Sequence, residues 1–315
     1  MNYRRLGASG LSVSEIALGS WLTLGGSVEA AMSERIVRHA FDLGVNLFDS
    51  ADAYAGGEAE RVLGRAFSGL PRNRLVLATK SFFPMSDAPN DRGLSRKHLF
   101  ESVHASLRRL GSDYLDLHQC HRADPETPLE ETVRAYEDLI RQGKVLYWGV
   151  SEWSEDLVAR ACQIADATGG YRPISNQPQY SLLCRSIERG LLDAHARLGL
   201  GQLVWSPLAQ GVLTGKYAGG ARPEGSGITV PMRARFLDPL LSEPNLARVE
   251  RMRAVATDLG ITPAQLALAW CLRRPEVASV IVGATRPEQL DENVLASGLT
   301  LPVTTQRVLA RIFAR

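Results

Sequence analysis

Short apolar runs rich in branched residues recur along the whole chain, and segments with helical spacing separate them. The runs lie near 16–18, 45–49, 75–80, 114–121, 145–151, 174–177, 202–206 and 279–282. Between them a period near 3.6 links Ile36, Ala40 and Leu43, then Val62 and Ala66, then Phe100, Val103, Leu107 and Leu110. The same period links Val133, Tyr136 and Ile140, Leu157, Ala161 and Ile164, Leu266, Ala269 and Trp270, and finally Leu290 and Val294. Gly44, Gly111, Gly143, Gly169, Gly199 and Gly260 each follow a helical stretch, where a left-handed residue ends a helix. Ser33, Ser95, Ser154 and Thr262 stand where N-caps belong.

Eight strand–helix units whose strands are too apolar to face water predict an α/β fold, a closed parallel (β/α)8 TIM barrel. An open doubly wound sheet would carry a glycine fingerprint after its first strand, but Leu18-Gly19-Ser20-Trp21 leads into no GxGxxG. The turn-rich Gly7-Ala8-Ser9-Gly10 predicts an N-terminal β-hairpin. Ala218 to Pro244, rich in Gly, Pro and Arg, reads as a long loop after the seventh strand, either a lid or merely irregular. A C-terminal helix is expected from about Pro302 to Arg315, which makes residues 1–315 a single barrel domain.

Charge and cysteine usage narrow the function classes. Lys plus Arg number 36 against 34 Asp plus Glu, with no dense basic stripe, which argues against nucleic acid as a partner. Cys120, Cys162, Cys184 and Cys271 contain no CxxC pair, so neither a disulfide framework nor a zinc ribbon is implied, and a cytoplasmic location fits. No secretory apolar core precedes Ser12, Ser14 and Glu15, and no run approaches the roughly 18 apolar residues of a membrane span, so no membrane insertion is expected.

In a barrel of this kind functional groups gather where strands end. Asp49 ends the second run with Tyr54 five residues on, Lys80 ends the third, and His121 ends the fourth. A lysine closing an apolar run needs a partner, since an unpaired buried charge is costly. Asp49 would hold the ammonium, whose field then acts on Tyr54. A cation at about 4 Å in an effective dielectric near 20 offers about 4 kcal/mol, enough to bring a phenol down from about 10 towards neutrality. His121 would donate a hydrogen bond to the same substrate oxygen. No metal is expected: His118 and His121 alternate on a strand and point to opposite faces. His39, His98, His104 and His195 fall in helices or caps.

Asp49-Ser50-Ala51-Asp52-Ala53-Tyr54, Lys80, and His121-Arg122 after Asp113-Tyr114-Leu115-Asp116 resemble the Asp, Tyr, Lys, His tetrad of the aldo-keto reductase superfamily over nearly the whole chain. Gly93-Leu94-Ser95-Arg96-Lys97-His98, Trp148-Gly149-Val150-Ser151-Glu152-Trp153, Trp205-Ser206-Pro207-Leu208-Ala209 and Ala269-Trp270-Cys271-Leu272-Arg273 are similar to its potassium-channel beta-subunit branch and the bacterial reductase relatives. Channel proteins of that branch often carry Asn at the position of His121, so His121 resembles the ordinary reductases.

The resemblance implies reduction of aldehydes or ketones to alcohols with NADPH, NADH being possible, and a cofactor bound at the barrel mouth. By similarity, Gln177 would bond the nicotinamide carboxamide, with Ser20, Trp21, Asp49, Ser151, Glu152 and Asn176 around it, and nicotinamide would stack on Trp205. Ser206, Pro207, Leu208, Gln210, Lys216 and Arg235 would follow the pyrophosphate. The loop Gly283-Ala284-Thr285-Arg286 opens a helix whose first amides, with Thr285 and Arg286, would take an adenosine 2′-phosphate. Gln289, Glu292 and Asn293 resemble the adenine contacts of the channel branch, and Gln289 stands where many reductases have Arg.

Two rival classes stay open at this level: a regulatory subunit that senses nucleotide with little turnover, and a barrel hydrolase or isomerase, which none of these residues favours. The substrate is a small-molecule carbonyl. Trp21, Tyr54, Phe82, Phe83 and Trp153 would line an apolar mouth for small or aromatic aldehydes, whereas Arg122, Arg233 and Arg235 would suit a phosphorylated one. A homo-oligomer is possible, since channel relatives form tetramers and many reductases are monomers.

Overall fold

A computed structural model describes residues 1–221 and 231–314. Eight strands close into a barrel in which each pairs in parallel with its neighbours: β3 (Ile16–Gly19), β4 (Leu47–Asp49), β5 (Val76–Ser81), β6 (Leu115–Cys120), β7 (Val145–Val150), β8 (Ser175–Asn176), β9 (Gly201–Trp205) and β10 (Val277–Val282). The seam joins β10 to β3, with Val280 opposite Ile16 and Val282 opposite Leu18. Each predicted run forms a strand, with ends shifted by no more than two residues.

The helices outside the ring are α1 (Ala30–Asp42), α2 (Glu58–Phe67), α3 (Arg96–Leu110), α4 (Leu129–Arg141), α5 (Glu155–Ala167), α6 (Leu191–Arg197), α7 (Pro231–Leu237), α8 (Glu243–Asp258), α9 (Pro263–Leu272), α10 (Glu288–Val294) and α11 (Val303–Ile312). Ser95 and Ser154 cap α3 and α5, and Thr262 with Gln265 forms a reciprocal capping box on α9. Ser33 does not cap α1. Glu29 holds that position, and Ser33 lies one turn inside with its hydroxyl donating to the Val28 carbonyl. Part of the stretch expected as a loop is helical: α7 lies within it, and α8 opens at Glu243. Residues 222–230 of it lie outside the described residues.

Two apolar layers follow from strand alternation. Residues such as Val62, Val103, Tyr136, Val150 and Leu266 fill the space between sheet and helices. Inside the ring, Ala17, Leu47, Val76, Ala78, Leu117, Leu203 and Ile281 form a smaller core. Leu6 and Val13 join that inner core from the antiparallel hairpin of β1 (Tyr3–Arg5) and β2 (Ser12–Ser14). The hairpin therefore stoppers the amino-terminal end of the barrel and leaves the other end as the open mouth.

Gly7 makes this stopper fit. Its φ is +59°, and a Cβ there would lie 2.2 Å from the Gly199 carbonyl oxygen, while the next amide, of Ala8, donates to that oxygen at 2.8 Å. Gly7→Ala combines left-handed strain with a backbone collision and is expected to lower stability by at least about 2 kcal/mol. Urea unfolding of the variant beside the parent chain measures it.

Candidate active site

Lys80 lies in β5 with 0% exposure, and its ammonium spends each of its three protons on a different acceptor. It donates to Asp49 Oδ2 at 2.6 Å, to the Ser50 carbonyl at 2.7 Å and to the Tyr54 hydroxyl at 3.4 Å. Asp49 ends β4, the neighbouring strand, and its other oxygen accepts from Gln177 Nε2 at 2.8 Å. His121 follows β6 and brings Nε2 within 3.5 Å of the Tyr54 hydroxyl, with Phe83 edge-on behind its ring. The structure thus brings together the four side chains that the sequence singled out. His118 faces the helix layer instead, its Nδ1 2.8 Å from the Tyr136 hydroxyl.

The electrostatics differ from the expectation in one respect. Burial lifts the Tyr54 phenol above its ordinary value of 10.0; the Lys80 ammonium opposes this and the Asp49 carboxylate reinforces it. The expected net depression therefore does not occur, because desolvation outweighs the cation. Burial also works against the Lys80 ammonium, yet Asp49 and Tyr54 together raise it above its ordinary value. Burial, with Lys80 and Arg122 nearby, drives the His121 imidazole down to about 2. The result is a neutral phenol held against a charged ammonium and a neutral imidazole. Since its oxygen accepts from Lys80, the phenol keeps its own proton for another acceptor.

Around this cluster the mouth is built from loops after the strands. All six described non-glycine residues with positive φ lie in them: Leu22, Ala55, Glu152, Ser206, Ala209 and Gln210. Such backbone costs roughly 1–2 kcal/mol per residue and collects at functional ends of folds. Glu152 fixes the Trp205 indole by accepting its Nε1 proton at 2.8 Å, and Trp21 meets that ring edge-on at 6.1 Å. Phe236 of α7 packs edge-on against Trp21 at 5.0 Å. The sequence reading passed over Phe236 because it assigned that segment to a loop; the short run Met232 to Leu237 was its only signal.

The remaining expected residues divide into those that face the mouth region and those that do not. Ser20 bonds Ser50, and Ser151 donates to the Gln177 carbonyl while accepting from Arg122. Gln210 donates to Ser206, Pro207 is buried and Leu208 half-buried, and Lys216 and Arg235 are exposed. Asn176 turns away, as alternation along a strand requires. Its amide donates to Gln202, which lies beside His195 of α6. Thr285 offers no open amide, because its N–H donates to Gln289 Oε1 at 2.8 Å. Gly283 and Arg286 are exposed, Glu292 is half-buried and Asn293 is buried in α10. Trp153 sits in the outer core at 2% exposure rather than at the mouth. The side chain of Arg233 lies outside the described residues.

The profile of the Aldo/keto reductase family matches residues 15–309, and the chain belongs to that family. It is 42% identical over 315 residues to an Arabidopsis thaliana protein described as a probable voltage-gated potassium channel subunit beta, covering 99% of this chain and 95% of that one. A rice (Oryza sativa subsp. japonica) protein of the same description is 41% identical over 317 residues, covering 100% and 96%. Among the described residues, no single helix is long and apolar enough to cross a membrane.

The depressed imidazole gives a stability prediction. A histidine neutral in the folded chain but titrating near 6.5 when unfolded lets the unfolded state bind more protons, so stability falls as pH drops below about 6.5. At pH 5 His121 accounts for about 2 kcal/mol of that loss. His121→Asn should lose correspondingly less stability between pH 7.5 and 5.0, as urea unfolding at the two pH values would record.

Proposed function

We propose that this barrel reduces aldehydes or ketones to alcohols with NADPH, Tyr54 delivering the proton and Asp49, Lys80 and His121 arranging it. The observation that carries this reading is the three-way donation of the buried Lys80 ammonium, which makes the phenol oxygen an acceptor and leaves its proton available to a further acceptor. A phenol above its ordinary value stays protonated at neutral pH and still transfers its proton readily to an alkoxide, a far stronger base. Lys80 stabilises the phenolate left behind, and neutral His121 orients the carbonyl oxygen.

The donor set suits a nicotinamide dinucleotide. The half-buried Trp205 indole is held by Glu152, and Gln177, with one N–H given to Asp49, keeps its oxygen and second N–H for an amide ligand. Ser20, Trp21 and Ser151 would complete that end, with Ser206, Pro207, Leu208 and Gln210 along the pyrophosphate. Lys216, Arg235 and Arg286 would supply the cations for phosphates. The bound reduced nicotinamide would supply hydride to the carbonyl carbon. With the Thr285 amide occupied, a 2′-phosphate would rest on the Arg286 guanidinium, and Gln289 and Glu292 would approach adenine. The chain would act as one barrel domain in the cytoplasm, as a monomer or homo-oligomer.

The description of the relatives as channel subunits supports a second reading, a nucleotide-sensing regulatory subunit with slow turnover. Steady consumption of NADPH with a panel of small carbonyls favours the reductase; tight NADPH binding without turnover favours the sensor. Tyr54→Phe should lower kcat at least about a hundredfold while the NADPH dissociation constant stays within about twofold. Retained turnover would remove the phenol from the mechanism.

A further inference from the structure

Beneath the turn that carries Tyr54 lies a second carboxylate, Asp52, with 0% exposure and no contact with the Lys80 ammonium. Its oxygens take two donors: Oδ1 accepts the Ala53 amide and Oδ2 accepts the Ser102 hydroxyl of α3, each at 2.7 Å. The Asp52 amide donates to the Lys80 carbonyl at 3.0 Å, and the Tyr54 amide donates to the Ala51 carbonyl at 3.1 Å. One residue thus joins the turn, the strand of Lys80 and a helix outside the ring.

The segment just after the turn approaches the same helix closely. At Gly57, φ is +86° and a Cβ would meet the Arg109 side chain at 2.9 Å. The Arg109 guanidinium is in turn fixed by buried Glu60, which also accepts the Thr79 hydroxyl from β5 at 2.5 Å. With Gly57 seated on α3, Asp52 and Ser102 set where the turn lies along that helix, and so how far the phenol stands from Lys80.

We propose that Asp52 is a positioning residue for proton delivery, its carboxyl clamping the 50–54 turn to α3 through Ser102 so that the Tyr54 hydroxyl is presented to Lys80 and His121. The inference rests on the reductase reading of the same site. Burial, opposed by the Ser102 hydrogen bond, lifts this carboxyl to about 7, so its neutral form is accessible. An asparagine reproduces the bonds of that form: its oxygen accepts from Ala53, and its N–H donates to Ser102, whose hydroxyl can accept.

The test is Asp52→Ala, Asp52→Asn and Ser102→Ala in the full chain, read by turnover and by the 13Cζ signal of Tyr54 in tyrosine-labelled protein, identified by its loss in Tyr54→Phe. Asp52→Ala should lower kcat at least about tenfold, with the carbonyl KM and the NADPH dissociation constant within about twofold. It should also displace the Tyr54 signal, and Asp52→Asn should restore both readouts. Ser102→Ala should act in the same direction with smaller effect, and it serves if Asp52→Ala fails to fold. Unchanged signal and kcat in both Asp52→Ala and Ser102→Ala would overturn the proposal, as would a cofactor affinity that falls in step with kcat. A parent chain that oxidises no NADPH, while its Tyr54 signal still moves in Asp52→Ala, would sink the reductase reading and leave the positioning role standing.

Discussion

The organisation of the mouth depends on one buried cation. Moving an ammonium out of water costs several kcal/mol even after relaxation, and leaving it unpaired costs more. The fold answers with a carboxylate, a backbone carbonyl and a phenol, drawn from one neighbouring strand and the turn that follows it. Asp49 is in turn steadied by Gln177 from the far side of the ring. Each partner constrains the others, so a group that would be mobile in water has its position fixed by the requirement that no charge be stranded.

Much of this arrangement was legible in the chain itself. The eightfold alternation set the barrel, and the short spacing from Asp49 to Tyr54 put both on one strand end and its turn. Register in a parallel ring then brings neighbouring strand ends together. What escaped was depth: the sequence places a cation near a phenol but does not say how little water reaches them. Desolvation therefore reversed the expected direction for Tyr54. Alternation at the very short β8 separates Asn176 from Gln177, and the register of the closed ring turns Gln177 inward to Asp49 and Asn176 outward to Gln202.

Local competition accounts for the other departures. The loop from Gly283 looked like an open phosphate cradle because it leads into a helix, with the Thr285 hydroxyl beside it, but the side chain of Gln289, one turn on, reaches back and accepts from both the amide and the hydroxyl of Thr285. Ser33 lost the cap to a residue four earlier because α1 begins sooner than its apolar period. Trp153 stands only three residues past the strand end, next to Ser151 and Glu152, yet it lies in the outer core. Strand-end counting locates the rim of the barrel but does not divide rim residues between ligand and packing.

The seam between β10 and β3 has a consequence for biogenesis. The Val280 amide donates to the Glu15 carbonyl, so the ring is joined by partners from opposite extremes of the chain. A ribosome releasing this polypeptide exposes Asp49, Tyr54, Lys80 and His121 long before the closing strand emerges. Contacts of such separation form late. Until then the nascent sheet has two unpaired edges, and its cluster of ionisable groups stands in water with none of the chemistry that enclosure confers.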